Sequence, residues 1–135
     1  MKKSKPKQII GRKEVVDFPE LGLSGISAKI DTGAYSSTLH CRDIKVSEGE
    51  QKKLSFKVLG SPEKEIHFEE FSQKKIKNSF GEAEKRYVIK TQIKIAGRLI
   101  KSIISLTDRG NMRYPVLIGR KLLKNKFVVD VSLNN

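Results

Sequence analysis

The amino-acid sequence predicts an all-β fold, a small closed barrel with one short helix near its C-terminal end. Apolar and polar residues alternate in many short runs, which is typical of half-buried strands. Turn-forming residues separate these runs at short intervals, as in barrels and sandwiches. Two long runs, 86–95 and 98–106, flank Ala96 and Gly97 and are predicted to form a hairpin.

The predicted elements follow one another without an internal repeat or a linker. Strands are predicted at 7–16, 23–30, 37–41, 44–46, 54–59, 65–71, 86–95, 98–106, 114–118 and 127–131. Residues 19–22 and 60–63 carry the Gly and Pro that end such runs. The segment 120–124 alone is predicted to be helical. Residues 1–8 are expected to be a basic flexible tail, and 9–135 a single domain.

The chain is strongly basic, with 28 Lys and Arg against 15 Asp and Glu and a net charge of +13. Of the basic residues 21 are Lys, which argues against specific nucleic-acid binding, because such binding relies on Arg forks and aromatic stacking. We interpret the charge as solvated lysine faces, with attraction of an acidic partner as the alternative. No apolar run approaches the ~20 residues that span a bilayer, so no membrane contact is expected.

The single cysteine, Cys41, cannot form an internal disulfide, which agrees with a reducing compartment. The basic N-terminal segment leads into no long apolar region, so a secretory signal is not expected. Together these features predict a cytoplasmic location.

One short carboxylate lies where a predicted strand ends in a tight turn. The run 25–30 alternates like a half-buried strand, and Asp31 follows it directly. Thr32 supplies a hydroxyl, and Gly33 lets the backbone bend and lets another group approach closely. An Asp-Thr-Gly tripeptide also occurs in ordinary turns, so this pattern alone leaves a structural role open.

Further motifs give the chain a family resemblance that extends from about Ile9 to Asp130. The motifs are Gly11-Arg12-Lys13-Glu14-Val15, the segment from Ala28 to His40, Leu106-Thr107-Asp108-Arg109, and the segment from Pro115 to Arg120. Together they resemble the retropepsin-like aspartic peptidases, and more closely the bacterial and archaeal family known as ATP-dependent zinc proteases. The resemblance implies a retropepsin-like barrel.

The resemblance also implies a homodimeric aspartic peptidase. Peptide hydrolysis by aspartates needs two carboxylates that share one proton, and the sequence contains a single Asp-Thr-Gly, so each subunit would contribute one Asp31. The implied catalytic residues are Asp31, Thr32 and Gly33. The residues implied to contact a peptide or protein substrate are Ala34 and, in a flap within 73–85, Ser79, Phe80 and Gly81.

A supporting role is implied for Arg120, which follows Gly119 at the start of the short helix. In retropepsins the matching arginine pairs with an aspartate just beyond Asp-Thr-Gly-Ala, but Tyr35 occupies that position here. Asp43 or Asp108 could replace that aspartate, and the sequence gives no basis for choosing between them. The supporting residues are thus Arg120, Gly119, Asp108 and Arg109, the last two as an internal ion pair or a wall of the cleft.

Neither a metal nor a nucleotide cofactor is expected, despite the family's name. His40 and Cys41 are adjacent and would point to opposite faces of a strand, and His67 lacks partners at the paired spacing of a zinc site. The sequence also contains no Gly-rich phosphate-binding loop.

Two other classes of function stay open at this stage. The same fold could be a non-catalytic peptide-binding module, because Tyr35 and the composition of the flap depart from the family pattern. The other alternative, a nucleic-acid-binding β-barrel, is supported by the net charge alone. For a peptidase, the charge predicts acidic or glutamate-rich peptides as substrates, which agrees with the association of this family with a ligase that adds glutamates to a ribosomal protein.

Overall fold

The structure is a computed structural model that describes residues 6–77, 80–108 and 113–135. In chain order its elements are β1 (Gln8–Ile10), β2 (Lys13–Phe18), a 3-10 turn (Pro19–Leu21), β3 (Leu23–Ile30), β4 (Ser37–Val46), β5 (Leu54–Val58), β6 (Ser61–Phe68), β7 (Ser72–Lys77), β8 (Ala83–Ile95), β9 (Arg98–Thr107), β10 (Val116–Ile118), α1 (Arg120–Leu123) and β11 (Phe127–Val129). Within these residues no helix is both long and apolar enough to cross a membrane.

Six strands close into a barrel in the order β10, β3, β2, β8, β9 and β4, and a pairing between β10 and β4 completes the ring. β5 and β6 extend the sheet beyond β4, and β7 pairs with β8 off this path. β1 and β11 form a separate parallel pair. Strands make up 60% and helices 6%, so the predicted all-β barrel with one short helix is confirmed.

The interior of the barrel is filled by the inward-facing residues of each strand. In β3, Ile26, Ala28 and Ile30 are buried while Ser27 and Lys29 are exposed, as the two-residue period of a strand requires. The β8–β9 hairpin is confirmed as well. Its turn residues Ala96 and Gly97 have φ values of 50° and 77°, which suit the primed turns that match strand twist.

The prediction of a single strand at 7–16 is wrong, because two strands, β1 and β2, occupy this part of the chain. The Gly11 N–H donates to the Glu14 carboxylate at 2.8 Å, and a Cβ at Gly11 would meet the Leu133 carbonyl oxygen at 2.6 Å. These close contacts turn the chain out of the barrel sheet. As a result β1 pairs with β11, and β2 pairs with β3.

The two short strands expected at 37–41 and 44–46 form one continuous strand, β4. Its register with β5 shifts between Arg42 and Lys45, where Asp43 has a φ of 55°. A bulge of this kind bends a strand without ending it. The turn predicted at 60–63 is shorter in the structure, because β6 already begins at Ser61.

The largest difference concerns 73–85, which was expected to be a polar loop acting as a flap. Ser72–Lys77 forms β7 and pairs antiparallel with β8, with Lys77 opposite Ala83. Five of the six β7 residues are exposed, so the strand has no buried face and no apolar alternation to reveal it. The segment is therefore a hairpin that projects from the barrel.

Candidate active site

Asp31 lies directly after β3, where the chain leaves the barrel. Its N–H donates to the Ile118 carbonyl at 2.8 Å, which extends the contact between β3 and β10 by one residue. The Gly33 N–H donates to Asp31 Oδ1 at 3.0 Å, and the Ala34 N–H donates to the Asp31 carbonyl at 3.2 Å. Backbone donors thus fix the direction in which the half-buried carboxyl group projects.

Arg120 braces the same turn from the start of α1. Its Nη1 donates to the Thr32 carbonyl at 3.0 Å, and its Cζ lies 5.9 Å from the centre of the Tyr35 ring. The cation is therefore stabilised by a carbonyl dipole and an aromatic face. Asp43, one of the two aspartates considered as its partner, instead lies 3.7 Å from Lys57.

Gly119 permits close contact between the turn and the chain that precedes α1. Its N–H donates to Ser37 Oγ at 3.0 Å. A Cβ at position 119 would collide with the carbonyl oxygens of Ser36 and Tyr35, the second at 2.7 Å. Any larger residue would displace the backbone that follows Asp31, so this glycine helps to set the position of the acid.

Two lysines face each other beside Asp31 on the outer surface of the barrel. Lys13 of β2 is directly opposite Lys29 of β3, and Lys29 shares a face with Asp31 because the two are two positions apart along an extended chain. Like charges in directly opposed positions destabilise a sheet. Sequence analysis missed this pair, because alternation in each strand does not reveal the register between them.

Tyr114 adds to this basic surface. Lys13 Nζ lies 5.7 Å and Arg113 Cζ 5.8 Å from the centre of its ring. A side-chain hydrogen bond with Lys13, together with the neighbouring positive charges, lowers the pKa of the Tyr114 hydroxyl. A surface of this charge attracts anionic ligands.

Arg86 forms a second basic element on the outer face, further round the barrel. Its Nη1 is 3.4 Å from the hydroxyls of Thr38 and Ser105, which are opposite one another on β4 and β9. Its Nε donates to Glu84 at 2.5 Å, and the side chain is 10% exposed. Since β10 separates β4 from β3, Thr38 lies about two strand spacings, ~10 Å, from the strand that ends at Asp31.

A depression of about 700 Å³ adjoins the turn on its other side. Thr32 and Tyr35 border it from the turn, and Phe127 and Val129 border it from β11. The Tyr35 side chain is 60% exposed. The acid is therefore next to an open, partly apolar surface.

The flap residues expected from the sequence are partly described. Phe80 is 82% exposed, and Gly81 follows it near the tip of the β7–β8 hairpin with a φ of 79°. Ser79 and Arg109 lie outside the described residues.

Cys41 is not available as a nucleophile at neutral pH. Burial, and secondly the negative charge of Asp108, raise the pKa of the Cys41 thiol. The thiol is therefore protonated, whereas attack requires the thiolate. Among the described residues no group of three or more His, Cys, Asp and Glu side chains is arranged to hold a metal ion.

Comparison with known proteins identifies relatives over nearly the whole chain. Residues 9–135 match the RimB-like family, described as retropepsin-like aspartic endopeptidase RimB. The chain is 36% identical over 136 residues to a protein of Shewanella pealeana and 31% identical over 133 residues to one of Desulfotalea psychrophila, both named "Probable alpha-L-glutamate ligase". These alignments cover 93% and 94% of this chain but 29% of each relative.

A solved structure has the same fold. The crystal structure of a protein of unknown function from Legionella pneumophila gives a TM-score of 0.71 at 28% identity and covers 95% of this chain and 96% of that chain. The name ATP-dependent zinc protease appears in none of these descriptions.

Proposed function

The chain belongs to the RimB-like family of retropepsin-like aspartic endopeptidases, and on this basis we propose that it hydrolyses peptide bonds as a homodimer. The observation that carries the proposal is the Asp31 turn, where Gly33 and Arg120 hold a carboxyl group at the end of a barrel strand. In the proposed dimer the Asp31 groups of two subunits meet across a twofold axis.

The chemistry follows from two carboxyl groups that share one proton. The ionised group takes a proton from water, which attacks the scissile carbonyl carbon, while the protonated group donates its hydrogen bond to the carbonyl oxygen. Two carboxylates at ~3 Å cannot both ionise comfortably, so the pair titrates with separated apparent pKa values. Gly33 leaves room for the water and the substrate backbone.

Features around the turn support dimerisation. Thr32 and Gly33 are exposed in the single subunit, so the Thr32 hydroxyl is accessible to a second copy. The neighbouring depression presents at its border Tyr35, which is 60% exposed, and large exposed apolar side chains near a functional turn mark contact surfaces. Each subunit carries a net charge of +13, so we expect the dimer to tighten as added salt screens the repulsion.

Acidic peptides are the substrates that the charge around Asp31 supports. A peptide bound beside Asp31 would pass Lys29 and Lys13, whose mutual repulsion an anionic side chain relieves. The longer relatives are named alpha-L-glutamate ligases, which supports glutamate-containing peptides as the substrate class.

The decisive variant is Asp31→Asn, which removes the shared proton. We expect cleavage of a glutamate-rich peptide library, followed by mass spectrometry, to fall by about 10³-fold or more. The matched control is Asp43→Asn, because Asp43 is an exposed aspartate on a bulge and lies beside Lys57. Equal cleavage by the Asp31 variant and wild type would overturn the catalytic assignment.

Sedimentation over a concentration series tests the dimer separately. Wild type and Asp31→Asn are both expected to associate, with an affinity that increases from low to moderate salt. Activity that is proportional to protein concentration in a range where the sample is wholly monomeric would contradict the paired-carboxylate mechanism.

The lysine pair gives the test of substrate charge. Lys29→Gln is expected to raise the free energy of unfolding by a few tenths of a kcal/mol, since it removes a like-charge contact. The same variant should raise KM several-fold for an acidic peptide and leave KM for the matching Gln-containing peptide unchanged. Lys94→Gln, an exposed change on β8, is the control. Equal KM changes for both peptides would exclude charge recognition at Lys29.

A second candidate function is peptide binding without cleavage on the same fold. It is favoured by Tyr35, which stands where the aspartate expected to pair with Arg120 would lie. This function predicts that wild type and Asp31→Asn bind acidic peptides equally and that neither cleaves them.

A further inference from the structure

The strand β8 lacks a neighbour along part of one edge. On its first edge β9 pairs with it from Val88 to Ile95. On its second edge β7 pairs with residues 83–88, and β2 pairs with Lys94 and Ile95. Within the described ranges no strand pairs with residues 89–93 on this second edge. We call this interruption the β8 gap.

The Ala96-Gly97 turn determines which backbone groups face the β8 gap. In a two-residue hairpin the residues that flank the turn exchange both hydrogen bonds, and bonded pairs then alternate with non-bonded pairs. Ile89 and Thr91 therefore bond to β9, whereas Lys90, opposite Ile103, belongs to a non-bonded pair. As a result the N–H and C=O groups of Lys90 point away from β9, into the gap.

Gln92 shows the same direction two residues further along the chain. Its N–H donates to Glu20 Oε1 at 2.8 Å, in a bond that lies at the surface. The Glu20 carboxylate, which belongs to the 3-10 turn, thus stands where the carbonyl of a neighbouring strand would accept. For the Lys90 N–H and C=O, the described part of the chain supplies no such substitute.

A cavity of about 580 Å³ adjoins the β8 gap, within the size range of ordinary ligand sites. Lys90 and Glu20 line it, and both are exposed residues. Its apolar lining includes Phe68, Phe71 and Ile103, which are only partly buried. Accessible apolar surface therefore lies next to a backbone donor and a backbone acceptor.

We propose that this cavity binds a short extended peptide segment that carries an apolar side chain. One residue of the segment takes the vacant position beside β8, where its C=O accepts from the Lys90 N–H and its N–H donates to the Lys90 C=O. The apolar side chain packs against the wall that includes Phe68 and Phe71. None of the described lining residues belongs to the Asp31 turn, so this is a second peptide site.

The groups around the gap favour a peptide over a simple ion. Both signs of charge border the cavity, with Glu20, Glu69 and Glu70 on one hand and Lys74 and Lys90 on the other. An anion offers no donor to the Lys90 carbonyl, and a metal cation offers no acceptor to the Lys90 N–H. Each residue of an extended chain offers one donor and one acceptor.

The site adjoins the base of the β7–β8 hairpin. Ser72, the first residue of β7, pairs with Val88 and also lines the cavity. A peptide opposite Lys90 continues the row of pairs that β7 begins. We therefore expect bound peptide to slow amide exchange at the start of β7.

Amide hydrogen exchange tests the vacant position before any peptide is added. The full chain with Asp31→Asn is used throughout, so that no probe is cleaved and the outcome is independent of the proposed peptidase function. The Lys90 amide should exchange at least about tenfold faster than the amides of Ile89 and Thr91, which are bonded to β9. Exchange at Lys90 as slow as at both neighbours would overturn the proposal.

NMR titration with acetyl-Ser-Leu-Ser-amide then tests binding. Saturable shifts are expected at Lys90 and Ser72, together with protection of the Lys90 amide from exchange. The analogue that is N-methylated at its leucine lacks the donor for the Lys90 carbonyl, and should bind at least about fivefold more weakly. Acetyl-Ser-Ser-Ser-amide should also bind more weakly, because it lacks the apolar side chain. The absence of a saturable shift, or shifts confined to residues 31–34, would contradict the proposal.

Two variants at one position separate the backbone group from the side chain. Lys90→Pro removes the N–H that faces the gap and leaves the bonds to β9 in place, so it should weaken probe binding about fivefold or more. Lys90→Gln removes the same ammonium group but keeps the N–H, and should bind the probe like the parent chain. Equal binding by the two variants would overturn the proposal. If Lys90→Pro does not fold, equal affinities of the methylated and unmethylated probes would overturn it instead.

Discussion

The Asp31 turn and the tip of the β7–β8 hairpin are both exposed loops, but they are held in different ways. The carbonyls of Thr32, Ala34 and Tyr35 each accept a hydrogen bond from the first two residues of α1. The hairpin instead projects from the barrel. Within β7 only Ile76 is partly buried, and the other five residues are exposed. One loop is fixed by tertiary contacts, whereas the other depends on local strand pairing.

This difference separates two tasks within one small domain. A catalytic carboxyl group must keep its direction to within a fraction of an ångström, which requires neighbours that lock it. A covering element must open and close, and segments with little buried apolar surface open at low free-energy cost. We therefore expect substitutions in the turn to affect both stability and chemistry, and substitutions at the hairpin tip to affect substrate binding with a smaller effect on stability.

The largest effect is expected for glycine substitutions in the two regions. Gly119→Ala places a Cβ against the Tyr35 and Ser36 carbonyls and should lower the free energy of unfolding by about 1–3 kcal/mol, with loss of most peptidase activity. At Gly81, an added Cβ meets nothing within 4 Å although φ is +79°, so Gly81→Ala should cost about 1 kcal/mol. Chemical denaturation and peptide cleavage measure both. A cost at Gly81 equal to that at Gly119 would contradict the comparison.

A smaller effect is expected when the arginine that braces the turn is removed. Arg120→Met loses the bond to the Thr32 carbonyl and the contact with the Tyr35 ring, so kcat should fall about tenfold and stability by about 1 kcal/mol. Arg98→Met is a close control, because Arg98 also donates to a carbonyl, that of Lys126, and lies over a ring, that of Phe127.

The Arg98 variant should lose similar stability and retain the kcat of wild type. Equal loss of kcat in both arginine variants would mean that the activity falls because of general destabilisation. It would then not depend on the contacts that Arg120 makes with the Thr32 carbonyl and the Tyr35 ring.

The smallest effect on stability is expected at the hairpin tip. Phe80 is 82% exposed, so Phe80→Ala should change the free energy of unfolding by no more than about 0.5 kcal/mol. If the hairpin covers bound peptide, KM should rise several-fold with kcat retained. Thermal denaturation and steady-state kinetics measure the two quantities. Unchanged KM and kcat would remove Phe80 from the substrate-binding residues.

Much of the barrel could be predicted from the sequence because its strands have one buried face. The alternation in β3 places Ile26, Ala28 and Ile30 inward and thereby puts Asp31 at the strand end. The Ala96-Gly97 turn could also be predicted, since Gly97 accepts the positive φ that a tight hairpin needs. Local pattern and tertiary structure agree in these regions.

The remaining features depend on register and distant contacts. β7 has no apolar face, so the sequence shows no alternation of apolar and polar residues that would predict its pairing with β8. The Lys13–Lys29 pair depends on how β2 aligns with β3. The contact of Arg120 with Tyr35 was missed because an aspartate was expected as its partner, whereas an aromatic face serves the cation here.

The parallel pairing of β1 with β11 has a consequence for how this domain is accommodated in larger polypeptides. The Arg12 N–H donates to the Leu133 carbonyl at 3.0 Å, and the Asn135 amide donates to Glu14 at 2.6 Å. The first and last described segments therefore lie side by side. Because the pair is parallel, the chain enters it at Gln8, beside Phe127, and leaves it beyond Val129 at the other end. A host protein that receives the unit as an insertion, or a peptide that joins the ends in a circular permutant, must therefore span at least the length of the pair, roughly 7 Å at ~3.3 Å per residue.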